Sequence, residues 1–338
     1  MPQDLQEIAR TLVANGKGIL AADETVPTLA RRFDALGIQC TEQSRRTYRE
    51  MLFTTPGAAE FISGVIMQDE TIRQSGSRGV PLVQVVADQG MVPGIKVDAG
   101  AKPLAGSPAE TVTEGLDGLR DRLAQYRDLG ARFAKWRAVI HIADSLPSRA
   151  CVHANAHALA RCAALSQEQG LVPIVEPEVL MSGSHTIECC EEVTGSVLLT
   201  VFNELAGQGV ALEAMLMKPN MVTAGEKCAN PASVHEVAAA TLRCLRRYVP
   251  AAVPGIVFLS GGQGDRLATA HLNAINRLPQ PKPWTISFSF GRALQDPALK
   301  AWNGQDENLT TGQKALYHRA GCNGAACLGT YTDEMEET

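Results

Sequence analysis

RFAKWRAVI, residues 132–140, is a short run dense in aromatic and aliphatic residues, and it reads as a β-strand. Immediately downstream, Ser148 to Gln169 carry an amphipathic helical pattern that opens on a Ser cap and stops at Gly170. A second apolar run, LVPIVEPEV at 171–179, follows at once. Strand, helix and strand in succession form the repeating unit of a parallel sheet, since parallel neighbours need a crossover between them. The same alternation extends in both directions. GILAAD (18–23), ISGVIM (62–67) and PGIKVD (93–98) precede it; LEAMLMKP (212–219), GIVFLSGG (255–262) and TISFSFG (285–291) follow. A further helix is predicted over Thr113 to Leu129, ending at Gly130. Eight strand runs dispersed from end to end match the α/β class and the strand count of the (β/α)8 or TIM barrel. A doubly wound open sheet is the competitor. Its nucleotide-binding form would carry GxGxxG at a strand–helix turn, and the glycines of SGGQG, at 261, 262 and 264, have the wrong spacing. No Gly-, Pro- or Ser-rich linker and no internal repeat interrupts the pattern. Residues 1–338 are therefore expected to form a single domain, with a short frayed acidic tail at 332–338, TDEMEET.

Composition narrows the function classes. The 338 residues are 45% hydrophobic and 20% charged, enough for a large core, and the formal net charge of −5 comes without a basic run that would track a phosphate backbone. No nucleic acid partner is expected. The opening MPQDLQEIAR lacks the basic and apolar regions of a leader, and no stretch approaches the roughly 20 apolar residues of a membrane helix. These features predict a cytoplasmic protein with no membrane partner. Nine scattered cysteines, an odd number, predict reduced thiols in such a compartment. Neither CxxC nor HExxH occurs. His153 and His157, four apart on the predicted helix, read as part of its solvated face, so no metal site and no cofactor are expected.

Charges placed inside strand runs carry the chemical information, because burial excludes them unless they are paired or functional. Asp23, Lys96, Asp98, Lys135, Arg137, Glu176, Glu178 and Lys218 all occupy such positions. Side chains alternate along a strand, so Lys135 and Arg137 share a face, as do Glu176 with Glu178 and Lys96 with Asp98. If that face points inward, lysines, an arginine and carboxylates converge at the carboxyl end of the barrel, where the loops of this fold build active sites. The alternative is a set of structural ion pairs or of charges turned outward. Five successive strands doing this weighs against both, since buried ion pairs are weak stabilisers and an outward charge meets the apolar helix layer. A lysine crowded by cations in a dry pocket has a lowered pKa, and its neutral amine attacks carbonyls. Neighbouring carboxylates supply the acid and base that iminium formation and carbon–carbon cleavage require.

Phosphate handling is the second theme. The seventh run leads into Ser260-Gly261-Gly262-Gln263-Gly264 and the eighth into Ser289-Phe290-Gly291-Arg292, which places amides, hydroxyls and an arginine at the usual phosphate position of this barrel. Simple tight turns are the competing reading of these glycines.

At this point the chain resembles one family over most of its length: class I fructose-1,6-bisphosphate aldolase. The matching segments run in the family's order from about Gly16 to about Tyr331: GKGILAADE, MVPGIKVD, LAG, EGLDGL, ARFAKWR, LVPIVEPE, LMKPNMV, FLSGGQ, LNAIN, KPW and FSFGRALQ. FAKWR, VEPE and KPNMV together are highly specific. The resemblance implies that Lys218 forms a Schiff base with the keto carbon of the substrate. Glu176, with Glu178 beside it, would be acid and base for the carbinolamine. Asp23 would take the 4-hydroxyl proton as the bond between carbons 3 and 4 breaks, and Lys135, with Arg137 nearby, would hold the charge balance. Ser260, Gly261, Gly262, Ser289, Gly291 and Arg292 would cradle the 1-phosphate, while Lys96 and Arg32 would reach the 6-phosphate. The implied products are dihydroxyacetone phosphate and glyceraldehyde 3-phosphate, and the implied assembly is a homotetramer.

Two departures stand out. Where the family usually reads STGS after LAADE, this chain has Thr25-Val26-Pro27-Thr28, in which Thr28 keeps a hydroxyl and Pro27 replaces a flexible glycine. The longer tyrosine-ended tail of animal members is not matched. Rival readings are another Schiff-base aldolase or a transaldolase acting on a different phosphosugar, a metal-dependent aldolase, and a non-catalytic sugar-phosphate sensor or scaffold that keeps the fold.

Overall fold

The computed structural model describes residues 2–337. In chain order its strands are β1 (Gly18–Ala21), β2 (Ile62–Met67), β3 (Val92–Lys96), β4 (Ala101–Leu104), β5 (Ser107–Thr113), β6 (Phe133–Ile140), β7 (Val172–Val179), β8 (Leu216–Met217), β9 (Gly255–Phe258) and β10 (Thr285–Phe290). Eight of them close a parallel barrel in the order β1-β10-β9-β8-β7-β6-β3-β2, and β4 pairs with β5 as a separate antiparallel hairpin. Each of the eight runs read as strands contributes one barrel strand.

Three local expectations are corrected. Residues 212–219 hold only two strand residues: Leu212–Ala214 is a 3₁₀ turn, and after Lys218 N donates to Val175 O at 2.8 Å the next residue, Pro219, has no N–H to continue the ladder. The helix expected from Thr113 begins only at Leu119, because Thr113 closes β5 and Gly118, at φ 63°, turns the chain into the helix. The acidic tail is docked rather than frayed. Asp333–Glu336 forms a 3₁₀ turn, Glu336 accepts hydrogen bonds from the guanidinium of Arg319 and from the Tyr331 hydroxyl, and both partners of the ion pair are nearly inaccessible. Thr338 lies outside the described residues.

Alternation along the strands sorts the barrel interior into two levels. At the amino end, Ile19, Ala21, Ile66, Phe133, Val172, Ile174, Leu216 and Val257 form one buried cluster with Leu5, Ala9, Leu12 and Val13 of the N-terminal segment. The helix Pro2–Leu12 thus plugs that end of the barrel. Its approach depends on glycine: a β-carbon on Gly64 would lie 2.6 Å from Leu12, and one on Gly255 would lie 2.5 Å from Val13. Residues of opposite parity, such as Leu20, Val65, Ala134, Trp136, Val175 and Met217, face the ring of helices in a second, larger cluster. Continuing the inward parity upward from Phe133, Ile174 and Leu216 leads to Lys135, Glu176 and Lys218, one layer nearer the carboxyl end.

Candidate active site

That layer opens into a cavity of about 610 Å³ lined by Asp23, Lys96, Lys135, Arg137, Glu176, Glu178, Lys218, Ser260, Gly261, Ser289, Gly291 and Arg292, with Thr28, Arg31 and Arg32 at one side. The side chains are fixed by strand pairing. Lys96 lies opposite Lys135 in the β3–β6 register, and Arg137 lies opposite Glu176 in the β6–β7 register. Lys135 Nζ stands 2.6 Å from Asp23 and 2.8 Å from Glu176, and Lys218 Nζ stands 3.1 Å from the other oxygen of Glu176. Asp23, Lys135, Glu176 and Lys218 therefore form one buried chain of alternating charge.

The two lysines are held differently. Lys135 sits between two carboxylates whose fields outweigh the burial that opposes its charge, so its pKa is raised. Lys218 has its pKa lowered, first by burial and then by the positive charge of Lys135, with Glu176 working the other way. Desolvation thus exceeds the cationic crowding that sequence reasoning put first. On Asp23 and Glu176 burial is the largest single influence and works upward; Lys135 and Lys218 together overcome it, holding Asp23 at about 2 and Glu176 below the ordinary range. Beside this chain Arg137 pairs with Glu178, and Lys96 pairs with Asp98, whose second oxygen accepts from Arg137 N. Asn220 ties the strand ends together: its side-chain oxygen accepts from Val179 N at 3.0 Å and its amide donates to Thr194 Oγ at 3.1 Å.

The glycine-rich loops meet on the opposite wall. Gly261 and Gly262 have φ of 61° and 97°, the left-handed region that side chains disfavour, and a β-carbon on Gly262 would lie 3.6 Å from the Arg292 guanidinium. Gly291 caps the helix Arg292–Trp302, whose free amides and positive end suit an anion. Ser289 is 1% exposed and its hydroxyl has no protein partner. An unpartnered buried hydroxyl among such donors suits a phosphate oxygen.

At the other end of the cavity Thr28, Arg31 and Arg32 line the wall. Arg32 is tied down by Glu24 and Asp296, the latter at 2.8 Å, and by Gln295, so its guanidinium is committed to the wall. Its neighbour Arg31 is exposed at the rim, with Nη2 3.5 Å from Thr28 Oγ. Pro27 lies in the first turn of the helix Val26–Asp34, where its missing N–H costs nothing, and Thr25 and Thr28 share a 3.1 Å hydroxyl contact above it. Sequence reasoning missed both Arg31 and Glu24. Glu24 binds Arg49 at 2.6 Å, and Gln295 Nε2 donates to it and to Ala21 O, so this group anchors two helices to the end of β1. The signal available for Glu24 was its place directly after Asp23, at the end of a strand run.

His153 and His157 are on the exposed helix face, the second bonded to Glu204 at 3.0 Å. Among the described residues one group could hold a metal, His318 with Cys322 and Glu336, away from the cavity. Glu336 there already serves Arg319, Tyr331 and Arg266.

Comparison with known proteins agrees with the geometry. The family model described as fructose-bisphosphate aldolase class-I matches residues 4–338. The probable fructose-bisphosphate aldolase class 1 of Xylella fastidiosa strain 9a5c is 56% identical over 331 residues, 97% of this chain and 98% of that one. The cytosolic fructose-bisphosphate aldolase 4 of Arabidopsis thaliana is 51% identical over 321 residues, 95% of this chain and 82% of that one. A solved structure of fructose-bisphosphate aldolase from Plasmodium falciparum, in complex with TRAP and a small-molecule inhibitor, superposes with a TM-score of 0.96 at 46% identity, covering 98% of this chain and 96% of that one. With the barrel, the lysine–carboxylate chain and these matches in agreement, the chain belongs to the class I fructose-bisphosphate aldolase family.

Proposed function

We propose that this chain cleaves fructose 1,6-bisphosphate to dihydroxyacetone phosphate and glyceraldehyde 3-phosphate, and catalyses the reverse condensation, through a Schiff base on Lys218. The observation that carries this reading is geometric: the buried Lys218 Nζ lies 3.1 Å from one oxygen of Glu176, whose other oxygen is held by Lys135 at 2.8 Å. Glu176 takes the proton of Lys218, and the free amine adds to the keto carbon. The nitrogen then passes one proton to the carbinol oxygen, Glu176 returns the proton it holds to the same oxygen, and that oxygen leaves as water, which gives the iminium. Asp23, ionised at neutral pH, accepts the 4-hydroxyl proton as the bond between carbons 3 and 4 breaks. The electron pair of that bond moves onto the iminium nitrogen as an enamine, and the aldehyde product departs. Protonation of the enamine and hydrolysis return Lys218. Lys135 keeps Asp23 and Glu176 ionised between steps.

The 1-phosphate is assigned to the wall of Ser260, Gly261, Gly262, Ser289, Gly291 and Arg292. The 6-phosphate is assigned to Lys96, Thr28 and Arg31, with Arg31 in place of the committed Arg32. The family resemblance supports a homotetramer, and the cytosolic Arabidopsis relative supports a cytoplasmic location. Barrel strands spread from Gly18 to Phe290 support one domain for the whole chain. The test is turnover of fructose 1,6-bisphosphate, read as release of glyceraldehyde 3-phosphate with and without chelator. Equal rates are expected. Chelator-sensitive cleavage would point to a metal-dependent aldolase, and no cleavage at all to a sugar-phosphate sensor.

A further inference from the structure

Behind the Ser260–Gly262 loop lies a polar pair that the mechanism does not use. Gln263 is 8% exposed and His271, two turns along the helix Asp265–Arg277, is 3% exposed. Gln263 donates twice to Ser260 O, from its backbone N and from Nε2, both at 3.0 Å, and Nε2 also faces Met221 Sδ at 3.8 Å. With Nε2 so used, Oε1 is left as acceptor and faces His271 Nδ1 at 2.5 Å. His271 must therefore carry its hydrogen on Nδ1. Burial pushes its pKa down to about 4 and keeps the ring neutral, with Nε2 unpartnered. Apolar packing would fill this space at lower cost than two buried polar groups, one of them with an orphan nitrogen.

We propose that His271 and Gln263 are positioning residues that lock the phosphate loop: the imidazole orients the Gln263 amide, and the amide holds the Ser260 carbonyl so that Ser260, Gly261 and Gly262 turn their donors into the cavity. This rests on the assignment of that loop to the 1-phosphate. The loop geometry depends on it because Gly261 and Gly262 are both left-handed and carry no side chains of their own to hold the turn. A purely packing role for His271 makes a different prediction, since it would affect stability alone.

The experiment is steady-state kinetics on fructose 1,6-bisphosphate, with inhibition by inorganic phosphate as a second readout, for His271→Leu, His271→Asn and Arg292→Ala. Asn presents an amide N–H near the position of Nδ1. His271→Leu is expected to raise KM and the phosphate inhibition constant about tenfold with kcat within about twofold, and His271→Asn to restore both to within about threefold. Loss of active fraction or of melting temperature in His271→Leu with unchanged KM would overturn the proposal. If Arg292→Ala raises KM and His271→Leu does not, the positioning role falls alone; if neither does, the phosphate assignment falls and takes the inference with it. Should His271→Leu not fold, Gln263→Met carries the same expected rise in KM, and an unchanged KM there is equally decisive.

Discussion

The two ends of the barrel interior are built from the same strands with the same alternation, yet they do opposite work. At the amino end, Phe133, Ile174, Leu216 and Ile19 close on the N-terminal helix and exclude water. One step up each strand, Lys135, Glu176 and Lys218 replace them with buried charge. Hydrophobic burial is worth about 25 cal/mol per Å² and demands only shape, whereas buried ion pairs contribute little net stability and demand geometry. The lower half therefore stabilises the fold, and the upper half holds groups whose value lies in their chemistry. The contrast teaches that a barrel tolerates a charged layer when an apolar one lies beneath it.

Substitutions at the two levels should separate activity from stability. Lys218→Met is expected to lower kcat by about four orders of magnitude or more while leaving the melting temperature unchanged or raised, since it removes a buried amine and leaves Glu176 paired with Lys135. Phe133→Ala, at the lower level, should cost about 3–5 kcal/mol in denaturant unfolding with kcat per folded molecule nearly unchanged. Equal activity losses for these two would erase the distinction between levels.

Lys135→Met tests the electrostatics within the upper level. It removes a cation that lowers the Lys218 pKa and uncovers two carboxylates that raise it, so that pKa should rise. The pH midpoint for modification of Lys218 by an amine-directed reagent should move upward, and kcat should fall about a hundredfold to a thousandfold. A downward midpoint would contradict the assigned charge arrangement. The smallest effect is expected at the rim: Arg31→Ala should raise KM for the bisphosphate about tenfold and leave that for fructose 1-phosphate unchanged. Arg32→Ala should instead act mainly on stability, because its guanidinium is spent on Glu24 and Asp296.

Legibility in the sequence followed the same division. Short apolar runs announced every barrel strand, and charges within those runs announced Lys135, Glu176 and Lys218, because both signals are local. The β4–β5 hairpin escaped because AKPL and SPAETVT are largely exposed and carry few apolar residues to mark them. The ion pairing of Arg32 rather than Arg31 escaped because neighbours on a helix point about 100° apart, and only the tertiary partners Glu24 and Asp296 decide which one is paired. The tail read as frayed because its acidic residues were seen without Arg319, whose buried guanidinium needs Glu336. The pairing of Gln263 with His271 is not marked locally, because the two are eight residues apart and meet only once the loop folds back on the helix Asp265–Arg277.

The central claim is that Lys218 is the nucleophile, and covalent trapping tests it most directly. Protein incubated with dihydroxyacetone phosphate and reduced with borohydride should gain one substrate-derived mass, mapped to the peptide containing Lys218, and lose activity in proportion. An unlabelled Lys218, or an adduct on Lys135 or Lys96 instead, would contradict it.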